Sequence, residues 1–215
     1  METSLQIEKN HFFRSLSKST VLILLIVLAF VINDVFTLGW NNYGLEPRSL
    51  QKFFGIFTMP FLHGDVEHLF SNSIPLFVLT FGLFYFFRGK SAIILLMTYL
   101  LTGIFTWSIG RSGNHIGASG ILYGLAFFLV TISLIKQERS LMSFSLIVIF
   151  LYGSIVWGFF PQLFPDKNIS WEGHLSGAIT GILLAWFYRK EGPVKKVYFE
   201  EEEEEDEAED EEPSE

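Results

Sequence analysis

The chain has 215 residues, half of them hydrophobic and 24 of them phenylalanine, with a mean hydropathy of +0.38; this excludes an ordinary soluble domain and implies an integral membrane protein. The net charge of −8 arises in the run Glu200 to Glu215, which holds 13 of the 23 acidic residues and leaves 15 basic residues against 10 acidic ones elsewhere. That acidity belongs to a tail and says nothing of a ligand for the membrane part, while the absence of cysteine excludes a disulfide, a thiolate nucleophile and a cysteine-ligated metal site.

Residues 1–19 are polar and of mixed charge, and the apolar run after them lacks a small-residue cleavage site. They are expected to form a cytosolic leader ahead of a retained first span. Six segments are apolar enough to cross a bilayer, which takes about 20 helical residues. They are approximately 20–39, 68–87, 91–110, 117–135, 141–160 and 173–188. The sixth is short, as a span can be where its first turns line a cavity. With the N-terminus inside, the inner segments hold eleven lysines and arginines against four outside, Arg48, Lys52, Arg111 and Lys167. This positive-inside bias makes both termini cytoplasmic.

The loop from Asn41 to Glu67 carries Tyr43 and Phe53-Phe54 and is expected to lie partly in the outer interface. Arg88-Gly89-Lys90 reads as a tight inner turn, and Pro161 to Glu172 as a flexible outer loop able to act as a gate. The acidic run from Glu200 cannot bury enough apolar surface to fold and is expected to be disordered and cytosolic. The division is therefore a leader over 1–19, an all-α membrane domain of six spans over 20–190, and a disordered tail over 191–215.

The chemistry gathers at the outer ends. Ser119 lies between glycines in Gly117-Ala118-Ser119-Gly120 at the mouth of span four, where a hydroxyl sits beside unpaired helix N–H groups. In Gly173-His174-Leu175-Ser176-Gly177-Ala178-Ile179-Thr180-Gly181 the histidine shares a helical face with Gly177 and Gly181. Gly120 and Gly124 form a matching stripe on span four, and two such stripes let helices approach closely. That approach brings an imidazole within reach of a hydroxyl, the parts of a Ser–His dyad. The bland alternative is packing alone, with an interfacial histidine. His68 and Asn72, four apart at the start of span two, could donate to an oxyanion together with the Ser119 N–H. A competing reading makes His63, Asp65, Glu67 and His68 metal ligands, though no His-Glu-x-x-His is present. His115 reads as a loop residue, Asn33-Asp34 as side chains reaching the outer surface, and His11 as a leader residue without inferred function.

His-Gly-Asp-x-x-His-Leu-x-x-Asn at 63–72, Gly-Ala-Ser-Gly-x-x-Tyr-Gly-Leu at 117–125 and Gly-His-x-x-Gly-x-x-x-Gly at 173–181 together resemble the signature blocks of rhomboid intramembrane serine proteases. The resemblance runs from residue 53 to 188 and implies a six-span bacterial form in the inner membrane with its site toward the outer side. It implies Ser119 as nucleophile, His174 as base, His68 and Asn72 in the oxyanion hole, and Tyr123 packing on the histidine. Gly117 matches the glycine before the nucleophile, and His63 a histidine supporting the first loop and cavity floor. The first loop, Gly44-Leu45-Glu46-Pro47-Arg48, departs from members that carry a Trp-Arg pair there, so Arg48 receives no role.

The implied activity is endoproteolysis of membrane proteins within or beside a transmembrane segment. The implied partners are such substrates and the lipid bilayer, with no nucleic acid, cofactor or metal. An inactive relative that holds membrane clients is the alternative, but it is expected to lack the serine or the histidine. A small transporter would favour charges at mid-membrane or repeated broken helices, which the sequence does not carry.

Overall fold

The computed structural model describes residues 3–160, 162 and 170–194. The acidic tail and most of the expected gate from Pro161 to Glu172 lie outside the described residues, as do Lys167, Lys195 and Lys196. Among the described residues seven α-helices follow one another: α1 (Ser4–Val35), α2 (Gly55–Thr58), α3 (Val66–Phe86), α4 (Ser91–Ile109), α5 (Ser119–Lys136), α6 (Arg139–Tyr152) and α7 (Trp171–Phe187). Among the described residues there is no strand, only an isolated antiparallel bridge between Leu45 and His115. Helices α1, α3, α4 and α5 are long and apolar enough to cross a membrane, whereas α6 and α7, at 14 and 17 residues, fall short of that length.

Helix α1 departs from the sequence reading. It begins at Ser4, where Thr3 caps it by accepting from the Gln6 N–H, and it runs on through Ser15 and Ser19, both buried, which return their hydroxyls to the carbonyls of His11 and Ser15. The leader is also anchored. His11 stacks on Tyr85 and its Nε2 lies 3.0 Å from the Tyr85 carbonyl, one of the last-turn carbonyls that α3 leaves without a helical partner. Arg88 pairs with Glu8 across 2.7 Å.

The core sits around α5, whose Leu125, Phe128, Leu129 and Ile132 are fully buried. On one side it meets α7 at backbone distance: a Cβ on Gly177 would overlap the Gly120 carbonyl, and one on Gly181 the Gly124 carbonyl. On another side α4 presents Thr98 and Thr102, whose methyls fill the notches at Gly124 and Gly120. Small residues thus bring three helices together where lipid supplies no hydrophobic drive for association.

Helix α6 ends at Tyr152 and continues as a 3-10 segment from Gly153 to Phe159. The expected fifth span, 141–160, therefore covers an α-helix and a tighter turn. Asn33 accepts from the Trp40 N–H at 2.8 Å, so this side chain fastens the start of the first loop rather than merely reaching outward. Farther on, Arg48, in left-handed backbone at φ +61, donates through Nη1 to the Gly110 carbonyl at 2.7 Å. The residue without a role in the sequence thus ties the first loop to the end of α4.

Candidate active site

Ser119 is the first residue of α5, and Ala118 before it offers no side-chain cap, so the first N–H groups of this helix have no capping side chain. Their partial positive charge faces the serine. The turn that delivers Ser119 depends on Gly117. Its φ is +106, a conformation costly for any residue with a Cβ, and a Cβ there would fall 2.7 Å from His68 Nε2. The same glycine donates its N–H to the Met59 carbonyl at 2.8 Å.

His174 is the fourth residue of α7, with Ser170 capping that helix by accepting from the Gly173 N–H. Its Nε2 lies 3.0 Å from Ser119 Oγ. On the other side of the ring, Nδ1 is 2.8 Å from the Gly158 carbonyl. A carbonyl only accepts, so Nδ1 carries the proton and Nε2 is left as the acceptor toward the serine hydroxyl. The ring lies flat on Tyr123, with centroids 4.1 Å apart and 5° between planes.

His68 and Asn72 line the same cleft of about 830 Å³ as Ser119, Tyr123 and His174. Asn72 Nδ2 donates to the His68 carbonyl one turn earlier, which holds it toward Gly117. Asp65 caps α3 by accepting from the His68 N–H at 2.7 Å through Oδ1. Among the described residues no group of three or more His, Asp or Glu is arranged to hold a metal, so the metal alternative gains no geometric support.

His63 lies beneath the cleft, 1% exposed, with its ring edge-on to His68 at 4.9 Å. Its ring nitrogens make no hydrogen bond of ordinary geometry, while its backbone carbonyl accepts from Asn41 Nδ2. Burial, reinforced by the neighbouring His68, lowers its pKa from the usual 6.5 to about 4, because a charged ring would lose its hydration.

Two contributors escape sequence reasoning. Gly158 acts through its carbonyl, which carries no side-chain signature, and it is a glycine because a Cβ would overlap the Tyr123 hydroxyl and fall 2.8 Å from His174 Nδ1. His115, read from the sequence as a loop residue, is buried, and its Nδ1 lies 2.6 Å from Ser170 Oγ. Nearby, the buried Glu172 faces Arg111 with Oε1 3.5 Å from the guanidinium Nε.

A helical membrane protein with a serine and a histidine meeting at facing helix ends, inside a shared cleft, is the class these features define. The Rhomboid domain matches residues 50–191, and the chain belongs to the rhomboid family. It is 36% identical over 154 residues to an uncharacterized protein of Mycobacterium tuberculosis strain H37Rv, covering 66% of this chain and 62% of that one. An uncharacterized Mycobacterium leprae protein is 32% identical over 169 residues, 75% of this chain and 66% of its own length. A protein of Acanthamoeba polyphaga mimivirus described as a rhomboid protein is 27% identical over 128 residues, 57% of this chain and 68% of its own. The chain spans about three fifths of the length of the first of these relatives.

Proposed function

We propose that this protein is an intramembrane serine endopeptidase that cleaves transmembrane or juxtamembrane segments of membrane proteins. The observation that carries the reading is the 3.0 Å approach of His174 Nε2 to Ser119 Oγ, with Nδ1 directed at the Gly158 carbonyl. In this reading α6 and α7 complete a six-span bundle in a bacterial inner membrane. The positive-inside bias then sets both termini in the cytoplasm and the cleft toward the outer face. The membrane domain takes residues 20–190, with the leader and the acidic tail on the cytosolic side.

Ser119 Oγ attacks the scissile carbonyl carbon as its proton passes to His174 Nε2. The oxyanion is met by the Ser119 N–H at the start of α5, by Asn72 Nδ2 and by the ring N–H of His68. When the C–N bond breaks, His174 returns the proton to the leaving amine. Water then adds to the ester with its proton taken by His174, and the Ser119–acyl bond breaks as that proton returns to Oγ. A substrate helix hides its amides in hydrogen bonds and must unwind locally, so helix-weakening residues near the cut favour reaction.

The test is cleavage of a generic single-span substrate in liposomes by the wild-type protein and by Ser119→Ala and His174→Ala. Each variant is expected to lose at least about a thousandfold in rate at nearly unchanged thermal stability. Cleavage retained by purified Ser119→Ala would reject the mechanism. Inhibition by a chelator, reversed by zinc, would instead favour the His63 and His68 metal reading.

A further inference from the structure

His115 has no part in the chemistry above, yet it joins the first loop, the chain just past α4 and the cap of α7 to the turn that delivers Ser119. Its backbone N–H and carbonyl exchange hydrogen bonds with Leu45 at 2.8 and 2.9 Å, docking the first loop. Its ring Nε2 lies 3.0 Å from the Arg111 carbonyl, just past the end of α4. Its Nδ1 lies 2.6 Å from Ser170 Oγ, the cap of the helix that bears His174. Two residues farther along its own strand of chain is Gly117, and Ser119 follows.

The hydrogen-bond inventory of this network closes in one way. The Arg111 carbonyl can only accept, so Nε2 donates and Nδ1 is an acceptor. Ser170 O–H therefore donates to His115 Nδ1 while its oxygen accepts from the Gly173 N–H at 3.3 Å. The hydroxyl is then turned by the histidine into the orientation a helix cap needs. His174 lies immediately after Gly173, and its own N–H donates to the Ser170 carbonyl. Among the described residues, Arg111 and Glu172 make a second tie across the same gap, with the Glu172 carboxylate buried.

We infer that His115 is a positioning residue that sets the distance between Ser119 and His174, acting through its ring bond to the Ser170 cap. The inference rests on the proteolytic reading of the two residues. Ser119 sits four residues after His115 and His174 four after Ser170, so the 2.6 Å bond braces the two helix starts against each other at the mouth of the cleft. The same helices also meet where Gly177 faces the Gly120 carbonyl and Gly181 the Gly124 carbonyl, and the His115–Ser170 bond adds a tie on the loop side of both helix starts. A displacement of about 1 Å at a reacting pair costs on the order of a hundredfold in rate.

The test compares His115→Ala, His115→Asn and His115→Gln in liposomes. It uses the rate at which a fluorophosphonate probe, which bonds phosphorus to Ser119 Oγ as fluoride leaves, labels the protein. It also uses kcat and KM on a single-span substrate. The Asn oxygen stands near the place of Nδ1 and can accept from Ser170, whereas the Gln amide stands near Nε2 and can reach only the Arg111 carbonyl. The expected result is a loss of about 10- to 100-fold in labelling rate and kcat for His115→Ala, with KM within about twofold. His115→Asn should recover most of it and His115→Gln little. Ser170→Ala should lower labelling similarly, and the double variant with His115→Ala should be no worse than either single one.

Wild-type labelling speed in His115→Ala, or equal recovery by Asn and Gln, overturns the inference alone. A wild-type protein that is not labelled at Ser119 overturns the proteolytic reading and this inference with it. Should His115→Ala lose its thermal transition, the comparison of Asn with Gln decides by itself.

Discussion

The His174 imidazole lies flat against Tyr123, ring centroids 4.1 Å apart and planes 5° from parallel. Phe159 closes on the edge of the same tyrosine at 5.0 Å, so the imidazole is stacked on a ring that is itself held. Such aromatic contacts contribute about 0.5–1.5 kcal/mol beyond burial, and here the contact fixes the plane of the proposed base. Tyr123→Leu should therefore reduce kcat by up to about tenfold, and Tyr123→Phe, which keeps the ring face, should cost less. Steady-state cleavage of a single-span substrate gives the order; equal effects of Leu and Phe would remove stacking from the account.

Gly158 offers a sharper case. Its carbonyl holds His174 Nδ1–H at 2.8 Å, and a Cβ on this residue would fall 2.8 Å from the same nitrogen while overlapping the Tyr123 hydroxyl. Gly158→Ala must displace the carbonyl or tilt the imidazole. The expected outcome is a fall in kcat of about 10- to 100-fold, because the imidazole loses the carbonyl that orients its ring. Unchanged kcat in a folded Gly158→Ala protein would mean that another acceptor orients His174.

Hydropathy alone locates α3, α4 and α5 to within two residues at each end, because a hydrocarbon slab selects long uninterrupted apolar runs. It misses the start of α1, where serines bonded to their own helix look polar in sequence yet continue the helix. It also misses the change from α6 to a 3-10 segment at Gly153, since the run stays apolar through Phe160 and hydropathy does not distinguish the two conformations. Ser119, His174, His68 and Asn72 are legible as a set because their motifs recur at helix starts. Gly158 and His115 are not. One acts through a backbone carbonyl 16 residues before its partner and the other through a bond across 55 residues, and neither relation leaves a local pattern.

The contact between α5 and α7 predicts that valine is not tolerated at Gly177 or Gly181. A Cβ at either position meets a carbonyl of the facing helix, Gly120 or Gly124, and backbone cannot step aside as a flexible side chain can. The helices must separate. Both variants should lose thermal stability by at least about 1–3 kcal/mol, the usual cost of overpacking, together with most of the cleavage activity. Gly181→Val that keeps full activity and its thermal midpoint would remove the close-contact argument.

His63 makes stability depend on pH in a direction that can be worked out. Burial holds its folded pKa at about 4 against 6.5 for a free ring, so between these values the unfolded chain binds a proton that the folded one refuses. Stability therefore rises with pH across this window: the full contribution is present above pH 6.5, is lost progressively as pH falls, and changes no further below about 4. The shift corresponds to roughly 3 kcal/mol. His63→Phe fills a similar space without a titrating ring and should flatten this part of the curve. Thermal midpoints in detergent between pH 7 and pH 4 supply the comparison, with activity recorded at pH 7, where His63 is neutral. A wild-type midpoint that holds steady across the window, or a His63→Phe protein that falls just as steeply, would mean that the ring beneath the cleft takes up its proton without cost.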